Sequence, residues 1–149
     1  MGNRAVITAS KATDVAQSND IGIYLHWNGG RDSVEAFLKY CELKGYRSPT
    51  SDNYGWARLC QVIGNFFGGG YSVGIDNCCH LDCDNGDNGV YIIDEWKIVG
   101  RQYHNGEEQN DYNLLQMLVE IDKNQPITEQ FGEERIKVLL KTTGENQDV

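Results

Sequence analysis

The hydrophobic positions between residues 21 and 41 change from one period to another. Ile21, Ile23 and Leu25 alternate with other residues, which predicts a strand with one buried face. Apolar side chains then recur at helical spacing, at positions 34, 37, 38 and 41. The Asn-Gly-Gly segment between the two patterns is typical of a turn. We therefore expect a helix that begins near Asp32, with this residue as N-cap and Glu35 completing a capping box.

The same two periods predict the remaining elements. Alternating apolar residues favour strands at 4–8, 71–75, 90–93 and 97–102, and the last two form a hairpin. Helical spacing favours helices at 54–67 and 112–123 and a final helix capped by Thr128. The sequence predicts an α+β fold, with a mostly antiparallel sheet of about five strands and three to four helices packed over one face. Residues 1–142 should form one domain and residues 143–149 a flexible tail.

Charge is distributed unevenly along the 149 residues, whose net charge is −9. Residues 1–75 carry seven basic and six acidic side chains, whereas residues 76–149 carry six and sixteen. A field of this sign repels nucleic acid and attracts basic partners, so we expect no direct nucleic-acid binding. The sequence has no run of about 18 apolar residues and no secretory apolar region near Met1. No membrane association and a cytoplasmic location are therefore expected.

Acidic residues of the second half concentrate in the loops at both ends of the 90–102 hairpin and before the third helix. If these loops converge, their carboxylates form a patch at a density similar to that of phosphates in nucleic acid. Aromatic residues at 91, 96 and 103 are near enough in sequence to anchor a partner. The predicted partner-binding residues are Asp82, Asp84, Asp87, Asp94, Glu95, Trp96, Glu107, Glu108 and Asp111.

A second candidate site lies at the glycine corner between the 21–25 strand and the first helix. Backbone N–H groups at a helix N-terminus, beside an arginine, can hold a phosphate or a carboxylate. The neighbouring tryptophan can stack on a base, although the acidic residues of the first helical turn oppose an anion there. A small ligand such as a nucleotide, bound within one chain or across a homodimer, would contact His26, Trp27, Arg31, Arg101 and His104.

Two segments have the composition of metal sites without the spacing. Segment 78–83 holds three cysteines and a histidine but lacks the second half of a structural zinc site. Segment 84–95 can be read as a calcium loop, but Gly86 then stands where an oxygen ligand is needed. We predict no metal and no cofactor, and five free thiols. No histidine lies in a catalytic motif, so no enzymatic activity is predicted.

Three segments, YLHWNGGRDSVEAFLKYC, WARLCQVIGNFFGG and DNGDNGVYIID, together resemble a family of small uncharacterised proteins from phages and prophages of Gram-positive bacteria. The similarity covers about residues 3–123 and includes no catalytic motif. It implies an accessory protein that acts in the cytoplasm of an infected bacterium. Proteins of that kind are often counter-defence factors, for example anti-CRISPR inhibitors, acidic DNA mimics or sponges for nucleotide signals.

Charge and resemblance together favour one hypothesis. We expect a phage-encoded inhibitor whose acidic surface binds the basic nucleic-acid groove of a host defence protein. The alternative is a nucleotide-binding sponge that uses the corner between His26 and Arg31.

Overall fold

The structure is a computed structural model that describes residues 2–50, 52–69 and 72–143. Within these ranges it has five strands and four helices. The strands are β1 (Ala5–Thr8), β2 (Ile21–Leu25), β3 (Val73–Asn77), β4 (Val90–Asp94) and β5 (Lys97–Gln102). The helices are α1 (Arg31–Leu43), α2 (Asn53–Phe67), α3 (Leu114–Lys123) and α4 (Glu133–Thr142). Single 3₁₀ turns occur at 15–17, 78–80 and 127–129.

The strands form one mixed sheet in the order β3-β2-β1-β4-β5. Three neighbouring pairs are antiparallel, whereas β1 and β4 run parallel, with Ile7 opposite Tyr91. The α+β class and the antiparallel β1–β2 and β4–β5 pairs are confirmed, but the sheet is not purely antiparallel. Parallel neighbours need a long crossover, and here β2, α1, α2 and β3 lie between the two strands. The pattern within either strand does not reveal such a pairing.

All four helices contribute to a core on one face of the sheet. The stripe that helical spacing predicted in α1 (Val34, Phe37, Leu38 and Cys41) is buried there. Burying an aliphatic or aromatic side chain of this size contributes about 1.5–3 kcal/mol. The strand residues that point into this core are Ala5, Ile7, Ile23, Leu25, Tyr91 and Ile93. The helical side is therefore the main source of hydrophobic stabilisation.

A buried carboxylate ties three of these helices together. Asp122 of α3 accepts hydrogen bonds from the Tyr40 hydroxyl of α1 at 2.6 Å and from the backbone N–H groups of Phe131 and Gly132, each at 2.9 Å. The last two donors lie at the start of α4, where Gly132 is the N-cap. Burial and then the Asp122 hydrogen bond raise the pKa of Tyr40, so the phenol stays a donor.

Loops cover the opposite face of the sheet. Val6 and Val90 point toward this side, where they pack against Val15, Cys78 and Cys83. The 3₁₀ turn at 15–17 comes from the connection between β1 and β2, and the turn at 78–80 follows β3. The fold thus brings a loop from the first half of the chain against loops from the second half. We call this side the loop-covered face.

The start of α1 differs from the predicted one. Gly30 is its N-cap, and Asp32 lies inside the first turn. The Asp32 carboxylate accepts from the backbone N–H groups of residues 33, 111 and 112 at 2.7, 2.6 and 3.1 Å. Glu35 pairs with Arg31 at 3.1 Å. There is no capping box, because both acidic side chains have other partners.

The last two helices also begin later than predicted. Asn113 caps α3, so Tyr112 precedes the helix, and Thr128 lies in a 3₁₀ turn before α4. Tyr71, the predicted first residue of the third strand, and residues 144–149 of the predicted tail lie outside the described residues. In the part of the chain that the structure describes, no helix is long and apolar enough to cross a bilayer.

Candidate functional site

The predicted acidic ridge is divided between the two ends of β4. Asp82, Asp84 and Asp87 precede the strand, whereas Asp94 is its last residue and Glu95 lies in the turn that follows it. A strand rises about 3.3 Å per residue, so the two groups are on the order of 15 Å apart. The predicted loops therefore converge only in part: the 82–87 loop and segment 103–111 lie at the same end of the hairpin, where His104 Nδ1 is 3.4 Å from the Asp87 carbonyl, whereas Asp94 and Glu95 lie at the other end.

Several predicted members of the ridge are engaged inside the chain. Arg4 Nε donates to Asp87 at 2.7 Å and Arg4 Nη1 lies 3.6 Å from Asp82. The hydrogen bond from Arg4 holds the pKa of Asp87 below its ordinary value. Trp96 is only 6% exposed, and its indole N–H donates to the carbonyl of residue 46 at 3.0 Å. It belongs to the helix-side core and presents no anchor to a partner; Tyr91 is buried as well.

A different group of carboxylates does share one face. We define the acidic loop cluster as the five residues Asp14, Asp20, Asp76, Asp82 and Asp84. The Asp20 carbonyl accepts from the Cys78 backbone N–H at 2.8 Å, and the Cys83 thiol donates to the Cys78 carbonyl at 3.5 Å. Asp82 and Asp84 flank Cys83 in the chain. These contacts place the loops that carry the aspartates side by side.

The other two members reach the same face from a strand and from a turn. Asp76 of β3 pairs with Gly22 of β2, and a Cβ built on Gly22 would meet the Cys78 sulfur at 3.0 Å. Asp14 caps the 15–17 turn, and its carboxylate accepts from the Tyr103 hydroxyl at 2.5 Å. That hydrogen bond raises the pKa of Tyr103 to about 12.

Few cations oppose this cluster. Among the described residues, the ion-pair partners of its five carboxylates are Arg4, at 3.6 Å from Asp82, and His80, at 3.2 Å from Asp76. A backbone N–H bond and then the bond to His80 lower the pKa of Asp76, so this group is ionised at neutral pH. The cluster distributes negative charge along the loop-covered face, from Asp76 at the β3 edge of the sheet to Asp14 beside the end of β5.

Sequence reasoning missed three of the five members. Asp14 and Asp20 belong to the half of the chain whose charges balance, and Asp76 was assigned to a loop. The signal that finds Asp76 is strand parity: once β3 pairs with β2, Asp76 shares a face with Gly22. No local signal joins the 9–20 loop to the 78–84 loop, because that contact depends on the tertiary fold.

The second set of predicted residues is brought together in part. Arg31 Nη1 lies 3.2 Å from Glu108 Oε2, Arg101 Nη1 donates to the same oxygen, and His104 Nε2 lies 3.5 Å from Oε1. Partial burial alone would raise the pKa of Glu108, but the contacts with Arg101 and Arg31 outweigh it, so the net shift is downward. The predicted acidic residue Glu108 is thus the counter-ion of Arg31 and Arg101, and its other oxygen lies next to His104.

The segment 103–113 covers the glycine corner. A Cβ added to Gly30 would come within 2.2 Å of the Gln109 side chain, which also exchanges two hydrogen bonds with Asn3 at 2.9 and 3.0 Å. The backbone of residues 111 and 112 is held by the Asp32 carboxylate. Glu107 and Asp111 are exposed on this segment. The start of α1 is therefore occupied by the chain itself.

His26 and Trp27 lie outside this ion-pair group. His26 Nδ1 is 2.9 Å from the Tyr24 hydroxyl, and its ring meets Trp27 edge-on at 5.1 Å. Trp27 is 46% exposed. Nothing ties these two residues to Arg31, Arg101 and His104, so the five-residue ligand site of the sequence prediction is not assembled as a unit.

The cysteine-rich segment does not form a metal-binding group. Within the described residues, no group of three or more His, Cys, Asp or Glu side chains is arranged to hold an ion. This includes Cys78, Cys79, His80 and Cys83 and the calcium-like register from Asp84 to Glu95. Burial raises the pKa of Cys83 to about 11, so at neutral pH it is a thiol and a poor metal ligand. All five cysteines are free.

A groove runs beside segment 103–113, between α1 and β5. Its volume is about 1060 Å³, and it is lined by charged residues of both signs, including Arg31, Glu35, Lys39, Lys97 and Glu108.

Comparisons with protein-family models, curated proteins and solved structures give no match to this chain.

Proposed function

We propose that this protein is a non-enzymatic, phage-encoded inhibitor that binds the basic nucleic-acid groove of a host defence protein through the acidic loop cluster. The observation that supports the proposal is the collection of five carboxylates from three separate segments on one face, with Arg4 and His80 as their ion-pair partners among the described residues. The phage context rests on the resemblance of the sequence segments alone.

The physical basis is electrostatic complementarity. A groove that binds duplex DNA faces about one negative charge per 1.7 Å of helix axis. A protein that concentrates carboxylates competes for the same lysine and arginine side chains, and charges of opposite sign accelerate the encounter. Tyr103, partly exposed and bonded to Asp14, provides an aromatic contact at the border of the cluster.

Charge reversal tests the proposal. The variant Asp20→Lys, Asp82→Lys, Asp84→Lys changes three exposed members of the cluster and should lose the partner that the native chain captures from the host cytoplasm. The matched control reverses Glu129, Glu133 and Glu134, which belong to the helical side, and changes net charge equally. Capture by the control should equal capture by the native chain.

Two further measurements distinguish DNA mimicry from other binding. Added duplex DNA should displace the captured protein, since both bind the same groove. Binding should also weaken as ionic strength rises above about 0.15 M, where exposed charges are screened beyond about 8 Å. Equal capture by the cluster variant and the native chain, or a complex that DNA does not displace, would contradict the proposed function.

A further inference from the structure

We propose that Arg31, Arg101 and His104 form a binding site for a phosphate group, for which the Glu108 carboxylate is an internal competitor. The proposed ligand class is a phosphate monoester such as a nucleoside monophosphate. This site lies apart from the acidic loop cluster and does not depend on the proposed inhibitor function.

The two guanidinium groups are positioned for an anion with several oxygens. Both Arg31 and Arg101 donate to one oxygen of Glu108, so a single acceptor is shared. A phosphate group presents three acceptor oxygens and can give one to each guanidinium. Arg101 is held in place, since its guanidinium lies 3.9 Å from the centre of the Tyr91 ring and its Nη2 donates to the Asn88 carbonyl. Such preorganisation reduces the entropy lost on binding.

Two buried nitrogen atoms of this group are unused within the described residues: Arg101 Nε is a donor, and His104 Nε2 is an acceptor in the neutral ring. Neither atom has a hydrogen-bond partner in the described part of the chain. The Arg101 side chain is 14% exposed. A buried polar atom without a partner is destabilising, and a phosphate that accepts from Arg101 Nε or donates its P–O–H to His104 Nε2 removes that penalty.

His104 discriminates between a phosphate and a carboxylate. Its Nδ1 lies 3.4 Å from the Asp87 carbonyl, which can only accept, so Nδ1 carries the hydrogen of the neutral ring. In that tautomer Nε2 is an acceptor, and the Glu108 carboxylate has no hydrogen to give it. A singly protonated phosphate donates its P–O–H to Nε2, and a fully ionised phosphate accepts from the protonated ring. Phosphate therefore suits both states of His104, whereas a carboxylate suits one.

The site is accessible without unfolding. Glu108 is 36% exposed and belongs to segment 103–113, which has no helix or strand, so rotation of its side chain vacates both guanidinium groups. Arg31 and Glu108, with Lys39 and Tyr112, line a groove of about 1060 Å³, whereas Arg101 and His104 are outside its lining and are 14% and 11% exposed. The groove has room for the nucleoside part of a phosphate ester.

Calorimetric titration with inorganic phosphate and with adenosine monophosphate tests this assignment. Glu108→Gln removes the competing charge. If the internal ion pair occupies the site more than about 90% of the time, its removal tightens phosphate binding at least about tenfold. Arg31→Gln should abolish binding. Arg47→Gln, which removes a surface arginine paired with Asp52, should not change it.

The outcomes are separable from those of the inhibitor proposal. The variant with three cluster aspartates reversed should retain phosphate binding, and Glu108→Gln should retain partner capture. Binding of adenosine monophosphate but not of phosphate identifies an ester ligand, and equal binding of both identifies the free ion. Absence of binding by both the native chain and a folded Glu108→Gln variant would overturn the site, as would equal binding by the Arg31→Gln and Arg47→Gln variants. Phosphorus line broadening on the native chain decides the question if Glu108→Gln fails to fold.

Discussion

The two faces of the sheet use carboxylates in opposite ways. On the helical side, Asp122 is 3% exposed, and three donors from two helical regions converge on it. On the loop-covered face, Asp20 and Asp84 are exposed, and no cation among the described residues pairs with them. A buried carboxylate needs all its partners to repay its desolvation, whereas an exposed one contributes little to stability. The helical side therefore holds the fold together, and the loop-covered face leaves charge available for a partner.

The largest effect is expected from Asp122→Ala. The substitution leaves the Tyr40 hydroxyl without an acceptor in a buried position and the N–H groups of Phe131 and Gly132 without one in a partly buried position. Each such donor costs about 1–3 kcal/mol, so unfolding free energy should fall by about 3–5 kcal/mol. Urea denaturation measures the loss.

Tyr40→Phe serves as the control for that measurement. It removes one of the three hydrogen bonds and leaves Asp122 with two backbone donors, so the loss should be about 1–2 kcal/mol. A loss below about 1 kcal/mol for Asp122→Ala would remove the contrast between the two faces, because the helical carboxylate would then be as dispensable as the exposed ones.

The same contrast explains which features of the structure could be predicted from the sequence. The α1 stripe and the burial of Ile23 and Leu25 in β2 were predicted correctly, because each pattern is local and repeats with a fixed period. Ile21, which was predicted on the same buried face, is 37% exposed at the start of the strand. Burial of Trp96 was not predicted, since its position in a short turn between β4 and β5 carries no period. The acidic loop cluster depends on the pairing of β3 with β2 and on contacts between distant loops, which no window of sequence contains.

The second largest effect is expected at Gly89, where the loop-covered face meets β4. Gly89 has φ +65°, and a Cβ there would lie 2.3 Å from the Tyr103 carbonyl oxygen. Since the obstacle is backbone, Gly89→Ala should lower the free energy of unfolding by at least about 3 kcal/mol. The matched control is Gly45→Ala, because Gly45 has φ +77° but open space around it. Its loss should be about 1–2 kcal/mol, from left-handed strain alone. Equal losses in urea denaturation would show that the contact with residue 103 is not close.

The structure brings together only some of the residues predicted to bind a ligand. Arg31, Arg101 and His104 meet around Glu108, which like His104 belongs to segment 103–113. A strand-to-helix corner with two glycines resembles an anion site in sequence whether or not another segment covers it. Gln109, which lies against Gly30, is about 80 residues away and cannot be anticipated from the corner itself.

The smallest expected effect is a difference in the pH dependence of stability between two variants of the loop-covered side, Asp87→Asn and Asp84→Asn. Asp87 has a pKa below its ordinary value of 3.8 because Arg4 donates to it, so its stabilisation is complete above that value and is lost as pH falls through the lower folded pKa. Since both side chains are partly exposed, Asp87→Asn should cost about 1 kcal/mol at about pH 6, and this difference from the native chain should vanish at about pH 2. Asp84→Asn, at a site with no ion-pair partner among the described residues, should change stability by less than about 0.5 kcal/mol at about pH 6. Urea titrations of both variants over this pH range measure the contrast.

If the difference between Asp87→Asn and the native chain persisted at low pH, the contribution of Asp87 to stability would come from packing rather than from charge. The Arg4–Asp87 ion pair would then contribute nothing to the stability of the fold, and the comparison with Asp122 would become sharper.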